Sequence, residues 1–209
     1  MSAPLFRRAS FLTSAPDLMA LPNESTCEIA FAGRSNSGKS SVINTLTGQR
    51  RLARVSKTPG RTQLINFFGL GDGRFLVDLP GYGYAQVPAA TRAPWGRVLG
   101  EYLRTRRQLV GLVLVMDIRH PLTQLDTDLL EWFGPTRKPV HALLTKTDKL
   151  SRSAALHTLR GVRHALHAAS SCWSAQLFSS LKRTGIDDAE TVLGAWFMTN
   201  DALKDTDRR

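Results

Sequence analysis

Gly33-Arg34-Ser35-Asn36-Ser37-Gly38-Lys39-Ser40 follows the order G-x-x-x-x-G-K-S. Two glycines let backbone N–H groups curl around an anion, a lysine adds a positive charge, and a serine hydroxyl offers a ligand to a hard cation. That is the chemistry of a triphosphate held with Mg²⁺. In such a loop Lys39 reaches the β- and γ-phosphates and the Ser40 hydroxyl binds Mg²⁺. The loop also needs a helix start behind it, whose free N–H groups and positive dipole end favour anions. "CEIAFAG" (27–33) is an apolar strand ending in glycine and "KSSVINTL" (39–46) opens a helix, so the context is present.

A phosphate loop does not choose its base or its reaction. "DLPG" (Asp78, Leu79, Pro80, Gly81) closes the strand 74–79. A carboxylate there can hold Mg²⁺ through a water, and the Gly81 N–H can sense a γ-phosphate. "TKTDK" begins at Thr145, with Lys146, Thr147 and Asp148, at the end of strand 140–145. Asp148 can accept from guanine N1–H and the 2-amino group, which adenine lacks; a buried carboxylate left unpaired is costly, so the residue discriminates. Lys146 would lie along the base. The alternative for Asp148 is a helix N-cap, since it and Ser151 both precede a helical pattern. "FSS" (Phe178, Ser179, Ser180) follows the last strand and would offer N–H groups to the guanine O6. Within "SKTPGRTQ" (56–63), a threonine would complete Mg²⁺ coordination. Thr62 stands where the loop enters the next strand; Thr58 precedes Pro59 and is turned away. Loops 50–62 and 80–92 then act as two switches ordered by the γ-phosphate.

These residues need a scaffold. Strands are expected at 27–33, 62–70, 74–79, 109–117, 140–145 and 174–178, with "GDG" as the hairpin between the second and third. Helices are expected at 39–46, 94–107, 123–133, 151–169 and 185–199. Apolar strand runs separated by amphipathic helices predict a mostly parallel six-stranded sheet with one antiparallel edge strand and helices on both faces, an α/β architecture. Residues 1–23 read as a polar lead-in, 24–199 as the folded domain, and 200–209 as a polar tail.

The chain has 209 residues and a net charge of +11, which favours polyanionic partners, nucleic acid foremost. The basic segments 50–61 and 92–107 are the expected RNA contacts. No apolar run approaches the ~18 residues of a membrane span, so no membrane role is expected. The first 22 residues have no apolar secretory core. Their Arg and Ser content faintly suits organelle transit, against which Asp17 and the short length stand. Two cysteines, Cys27 and Cys172, form no disulfide framework and point to a reducing cytoplasm. No Cys/His cluster has zinc spacing, and His120, His141, His157, His164 and His167 are scattered.

Together "AFAGRSNSGKSS", "SKTPGRTQLINFF", "VDLPGYGYA", "DIRHP", "TKTDKL" and "FSSLKRTG" resemble the EngB (YihA/YsxC) family of bacterial ribosome-biogenesis GTP-binding proteins, one of the TrmE-Era-EngA-EngB-septin-like GTPases. The resemblance runs from about Phe11 to Phe197. It implies a Ras-like fold, GTP and GDP with Mg²⁺ as ligands, and a role in assembling the large ribosomal subunit from rRNA and ribosomal proteins, which supports cell division. It also implies Ser40 and Thr62 as Mg²⁺ ligands and Gly60, Arg61, Thr62, Gln63 and Leu64 as nucleotide contacts. In such proteins Thr145 in place of the commoner Asn is usual.

After Gly81 many GTPases place a Gln that orients the attacking water; this chain has Tyr82. Slow intrinsic hydrolysis, or help from a partner, is therefore expected. Some relatives with Asn at the position of Asn36 hold K⁺ beside the phosphates, which makes Asn36 a catalytic candidate beside Lys39. Arg61 is a competing finger. Three functions follow: a monomeric GTPase switch on a pre-ribosomal particle, a nucleotide-gated rRNA-binding module with negligible hydrolysis, and a P-loop nucleotide kinase. The last predicts an Arg-rich lid and leaves "TKTD" idle.

Overall fold

A computed structural model describes residues 4–53, 64–83 and 98–206, with side chains to 199. Seven strands form one sheet: β1 (Ser10–Ala15), β2 (Cys27–Gly33), β3 (Ile65–Gly71), β4 (Arg74–Asp78), β5 (Leu109–Asp117), β6 (Val140–Thr145) and β7 (Trp173–Leu177), in the spatial order β1-β3-β4-β2-β5-β6-β7. The helices are α1 (Lys39–Thr47), α2 (described over 98–105), α3 (Gln124–Phe133), α4 (Arg152–Ala169) and α5 (Ile186–Thr206).

The expected mostly parallel α/β sheet is present. β2 pairs in parallel with β4 and β5, β5 with β6, and β6 with β7, while β3 is antiparallel to both β1 and β4. There are seven strands rather than six because residues 10–15, expected in a polar lead-in, add β1 outside β3. Its burial is slight, three exposed residues leading to buried Ala15, so backbone pairing rather than an apolar face holds it. The β3–β4 hairpin turns through Asp72 and Gly73, both with positive φ (54° and 70°), the geometry that "GDG" predicts. The last helix continues past 199 to Thr206.

β2, β5 and β6 are buried on nearly every residue, as strands covered on both faces must be. On one side Leu99, Tyr102 and Leu103 of α2, Leu129, Leu130 and Phe133 of α3, and Leu159, Val162 and Leu166 of α4 fill the core. On the other, Val42, Ile43 and Leu46 of α1 pack with Leu193 and Phe197 of α5 and with Phe6. Below the sheet Glu28, fully buried, is held by Arg106 (Nη2–Oε1 2.6 Å) and by the Tyr102 hydroxyl (2.7 Å). Arg106, within a segment expected to touch RNA, is thus committed to an interior ion pair.

The order of strands places the site. From β2 the chain turns to β3 and β4 on one side, and then crosses to β5 on the other. The loop after β2 therefore opens at the point where the sheet reverses direction, the usual crevice for ligands in open α/β sheets. Asp78, Asp117, Thr145 and Phe178 all stand at or just past the carboxyl ends of their strands.

Candidate functional site

The loop Arg34–Gly38 joins β2 directly to α1, and its backbone explains its glycines. Gly38 is the N-cap of α1 with φ +97°, a left-handed conformation that side chains resist. At Gly33 a Cβ would sit 2.6 Å from both the Ser37 Oγ and the Val115 carbonyl oxygen, so only glycine lets the loop fold back over β5. Asn36 also takes a positive φ of 66°, and its side chain is exposed. Ser37 N–H donates to the Arg34 carbonyl at 3.0 Å, closing the turn. Among the described residues, the Ser37 Oγ and Arg34 Nε are buried without a hydrogen-bond partner. A loop of this kind running directly into a helix N-terminus suits an anion.

The DLPG turn lies against this loop. Leu79 N–H donates to the Phe31 carbonyl (3.0 Å), Tyr82 N–H to the Gly33 carbonyl (3.3 Å), and Ser35 N–H to the Tyr82 carbonyl (3.0 Å). Leu79 and Pro80 are buried and Gly81 is exposed; a Cβ at Gly81 would sit 3.4 Å from the Ser35 backbone. The Lys39 ammonium forms an ion pair with Asp78 Oδ1, and both side chains are nearly buried. Asp78 and the neighbouring Ser40 supply hard oxygens, the donor type that Mg²⁺ takes alongside phosphate oxygens. The residues present therefore fit Mg²⁺. Among the described residues no group of three or more His, Cys, Asp or Glu side chains could hold a metal by itself, so phosphate and hydroxyl oxygens would complete the set. Gly60, Arg61, Thr62 and Gln63 lie outside the described residues; Leu64 stands half-buried just before β3.

The base-motif residues are fastened to the phosphate loop. The Thr145 hydroxyl reaches the Ser37 carbonyl at 2.6 Å and the Met116 carbonyl at 3.0 Å. Lys146, at φ +58°, donates from Nζ to the Asn36 carbonyl (2.8 Å) and pairs with Asp117 Oδ2 (2.9 Å). Asp117 also takes a two-pronged contact from Arg119. The Arg119 hydrogen bond, with Lys146 adding to it, holds the Asp117 carboxyl well below the usual carboxylate range. Asp148 accepts the Ser179 hydroxyl at 2.7 Å, the main reason its carboxyl is also lowered. Phe178 and Ser179 are buried, Ser180 half-buried, and Thr147 donates from Oγ1 to the Phe178 carbonyl at 3.2 Å. The N-cap of α4 is Ser151, whose Oγ accepts from Ala154 N–H at 3.3 Å; Asp148 lies in the short turn Thr147–Lys149 before it. The capping alternative for Asp148 is thereby removed.

Tyr82 is buried, and its hydroxyl donates to Asp126 Oδ1 at 2.7 Å. The other oxygen of Asp126 receives the Thr123 N–H (2.8 Å) and hydroxyl (2.7 Å) in the capping box of α3. Burial first, then Asp126, pushes the phenol far above its ordinary value. The residue after Gly81 is therefore an anchor running from the phosphate loop to α3.

Sequence reasoning assigned no role to Asp117, Arg119, Thr123 or Asp126. Asp117 was the most findable, because a carboxylate at the carboxyl end of a central parallel strand stands where such sheets bind ligands.

Residues 28–146 match a family described as 50S ribosome-binding GTPase. A probable GTP-binding protein EngB of Nitrosomonas europaea is 58% identical over 202 residues, covering 97% of this chain and 91% of that protein. The chain belongs to the EngB family of GTP-binding proteins. The EngB of Methylobacillus flagellatus, also described as a probable GTP-binding protein, is 59% identical over 203 residues, covering 97% of this chain and 98% of its own. A crystal structure described as a probable GTP-binding protein engB superposes with a TM-score of 0.67 at 20% identity, covering 83% of this chain and all of that one, and shows the shared fold. Among the described residues no helix is long and apolar enough to cross a membrane.

Proposed function

We propose that this chain is a GTP-binding, GTP-hydrolysing switch that serves assembly of the large ribosomal subunit, and through it cell division, as a cytoplasmic monomer. The observation that carries the nucleotide part is the joining of the TKTD turn to the phosphate loop through Thr145–Ser37 and Lys146–Asn36. A carboxylate held by the Ser179 hydroxyl thus stands at a fixed offset from an anion cradle, with a lysine stem between. That arrangement fits a guanine base and its phosphates together.

In this reading the backbone N–H groups of 34–40 and the Lys39 ammonium bind the phosphates, and Ser40, Thr62 and, through a water, Asp78 would hold Mg²⁺. When bound, Mg²⁺ would supply neutralisation of phosphoryl charge. Asp148 selects guanine, and Phe178, Ser179 and Ser180 enclose its O6 side. Relatives described as GTP-binding support the ligand, and the 50S ribosome-binding description of the matched family supports the partner.

Tyr82 favours slow intrinsic hydrolysis, because its hydroxyl is committed to Asp126 and cannot orient a water. A nucleotide-gated rRNA-binding module remains the second reading on that ground. Single-turnover hydrolysis with and without purified large subunits separates the two: stimulation supports the switch, and an unchanged slow rate supports the module. K⁺ at Asn36 is a further part of the proposal, supported by its exposed side chain within the phosphate loop, where the backbone takes φ +66°. A rate that is higher in K⁺ than in Na⁺, and loses this difference in Asn36→Ala, is the expected result; equal rates in both salts remove K⁺ from the account.

A further inference from the structure

We propose that the solvent face of α4 is a docking surface for the phosphate backbone of RNA. The inference rests on the reading of this chain as a large-subunit assembly factor, and it assigns the contact to an element away from the nucleotide.

Along α4, RSAALHTLRGVRHALHAA, there is no carboxylate. Ala155, Leu159, Val162 and Leu166 are its buried face. Arg152, Leu156, Arg160, Arg163 and His167 are exposed and follow one another at steps of four, four, three and four, which is one continuous stripe on a helix. His157 and His164 lie beside it, also exposed. The stripe is about 22 Å long at the usual helical rise of ~1.5 Å per residue. Lys149, Lys182 and Arg183 extend it, because they are exposed on the two loops that meet near the helix start, where Ser179 bonds Asp148.

Two features argue that this is more than a solvated face. An ordinary surface helix interleaves opposite charges at i, i+4, whereas like charges at that spacing are destabilising. In α4, Arg160 and Arg163 stand as like charges at i, i+3, with no acidic side chain on the helix to offset them. The rest of the surface is not uniformly basic: α3 exposes Asp128 and Glu131, and α5 begins with exposed Asp187 and Asp188. The charge is thus sorted by element. Arg163 is also positioned: it is exposed, and its Nε donates to the Ala175 carbonyl at 2.8 Å on the edge strand β7, leaving its terminal nitrogens uncommitted to that bond. A row of guanidinium groups with imidazoles beside them offers forked donors to phosphate and hydrogen bonds to ribose hydroxyls.

The test compares the full chain with Arg152→Gln/Arg160→Gln and with a charge-matched control, Arg7→Gln/Arg8→Gln, whose exposed residues sit by the opposite face of the sheet. Binding to purified large subunits and to protein-free large-subunit rRNA is measured across a KCl series, with GTP affinity as the check on folding. The α4 variant should bind both about tenfold or more weakly, and its slope of log affinity against log salt should shrink by about 1.4 to 1.8, the loss of two phosphate contacts. The control should stay within about threefold, and GTP affinity should be unchanged in both. Equal weakening of the two variants would mean diffuse charge; no weakening, or weakening with an unchanged salt slope, would mean that α4 does not meet phosphate. Each of these overturns the proposal. If the unsubstituted chain binds rRNA through α4 but large subunits never alter its hydrolysis, the switch reading fails and the docking surface stands.

Discussion

Tyr82→Phe tests whether the residue after Gly81 is an anchor or a participant in chemistry. The substitution removes one oxygen and keeps the ring in the core. It deletes a 2.7 Å hydrogen bond to Asp126 Oδ1, while Thr123 still holds the other oxygen of that carboxylate. A buried hydrogen bond to a charged group contributes about 1.5–3 kcal/mol. For a domain of this size each 1 kcal/mol shifts the melting temperature by about 2–4 °C, so the midpoint should fall by about 3–12 °C. Because the hydroxyl points to α3 and not into the phosphate cradle, single-turnover hydrolysis at saturating GTP should stay within about threefold of the unsubstituted chain; a tenfold change would correspond to ~1.4 kcal/mol of barrier. Calorimetry and quenched-flow hydrolysis on the same preparations give both numbers. An unchanged midpoint with hydrolysis reduced tenfold or more would refute the anchor and return Tyr82 to the reaction.

Other outcomes follow from the interior. Arg106→Ala strands the fully buried Glu28 carboxylate, and should cost about 3–5 kcal/mol in chemical denaturation while leaving GTP affinity intact in the folded fraction. Stability should also fall as pH rises above about 10, the ordinary phenol value. Tyr82 and Tyr102 are both raised by burial first, so their contribution is complete below that pH and is lost above it, where the unfolded chain gives up protons that the folded chain keeps. Thermal melts from pH 8 to 11 should show this decline, shallower in Tyr82→Phe. Lys39→Ala should abolish tight triphosphate binding with the fold retained by circular dichroism; unchanged GTP affinity would remove the phosphate-loop reading.

Much of this was legible in the residues, for reasons that differ by element. β2, β5 and β6 are continuous apolar runs, and α4 has an apolar stripe, so burial alone reveals them. The turn between β2 and α1 was legible because the demands of Gly33 and Gly38 are local: one must admit the Val115 carbonyl, the other must take a positive φ. β1 escaped because "SFLTSA" has little to bury, and its reason for being a strand lies 52 residues away in partners such as Asn66, to which Ser14 donates at 2.6 Å. The contacts that unite the site escaped for the same reason. Thr145 to Ser37, Lys146 to Asp117 and Tyr82 to Asp126 each join distant segments, and neither motif spacing nor periodicity encodes them. Asp148 shows both sides. Its motif suggested base recognition and its position before a helix suggested a cap; Ser151 in the capping role removes only the second.

The central claim is that Asp148 reads the base while residues 33–40 hold the phosphates. Competition between GTP and xanthosine triphosphate for the chain and for Asp148→Asn tests it most directly. The account predicts a strong GTP preference that reverses in the variant, because an amide can donate to the xanthine carbonyl that replaces the guanine amino group. A variant that keeps its GTP preference would contradict it, and would leave Asp148 as a structural partner of Ser179 alone.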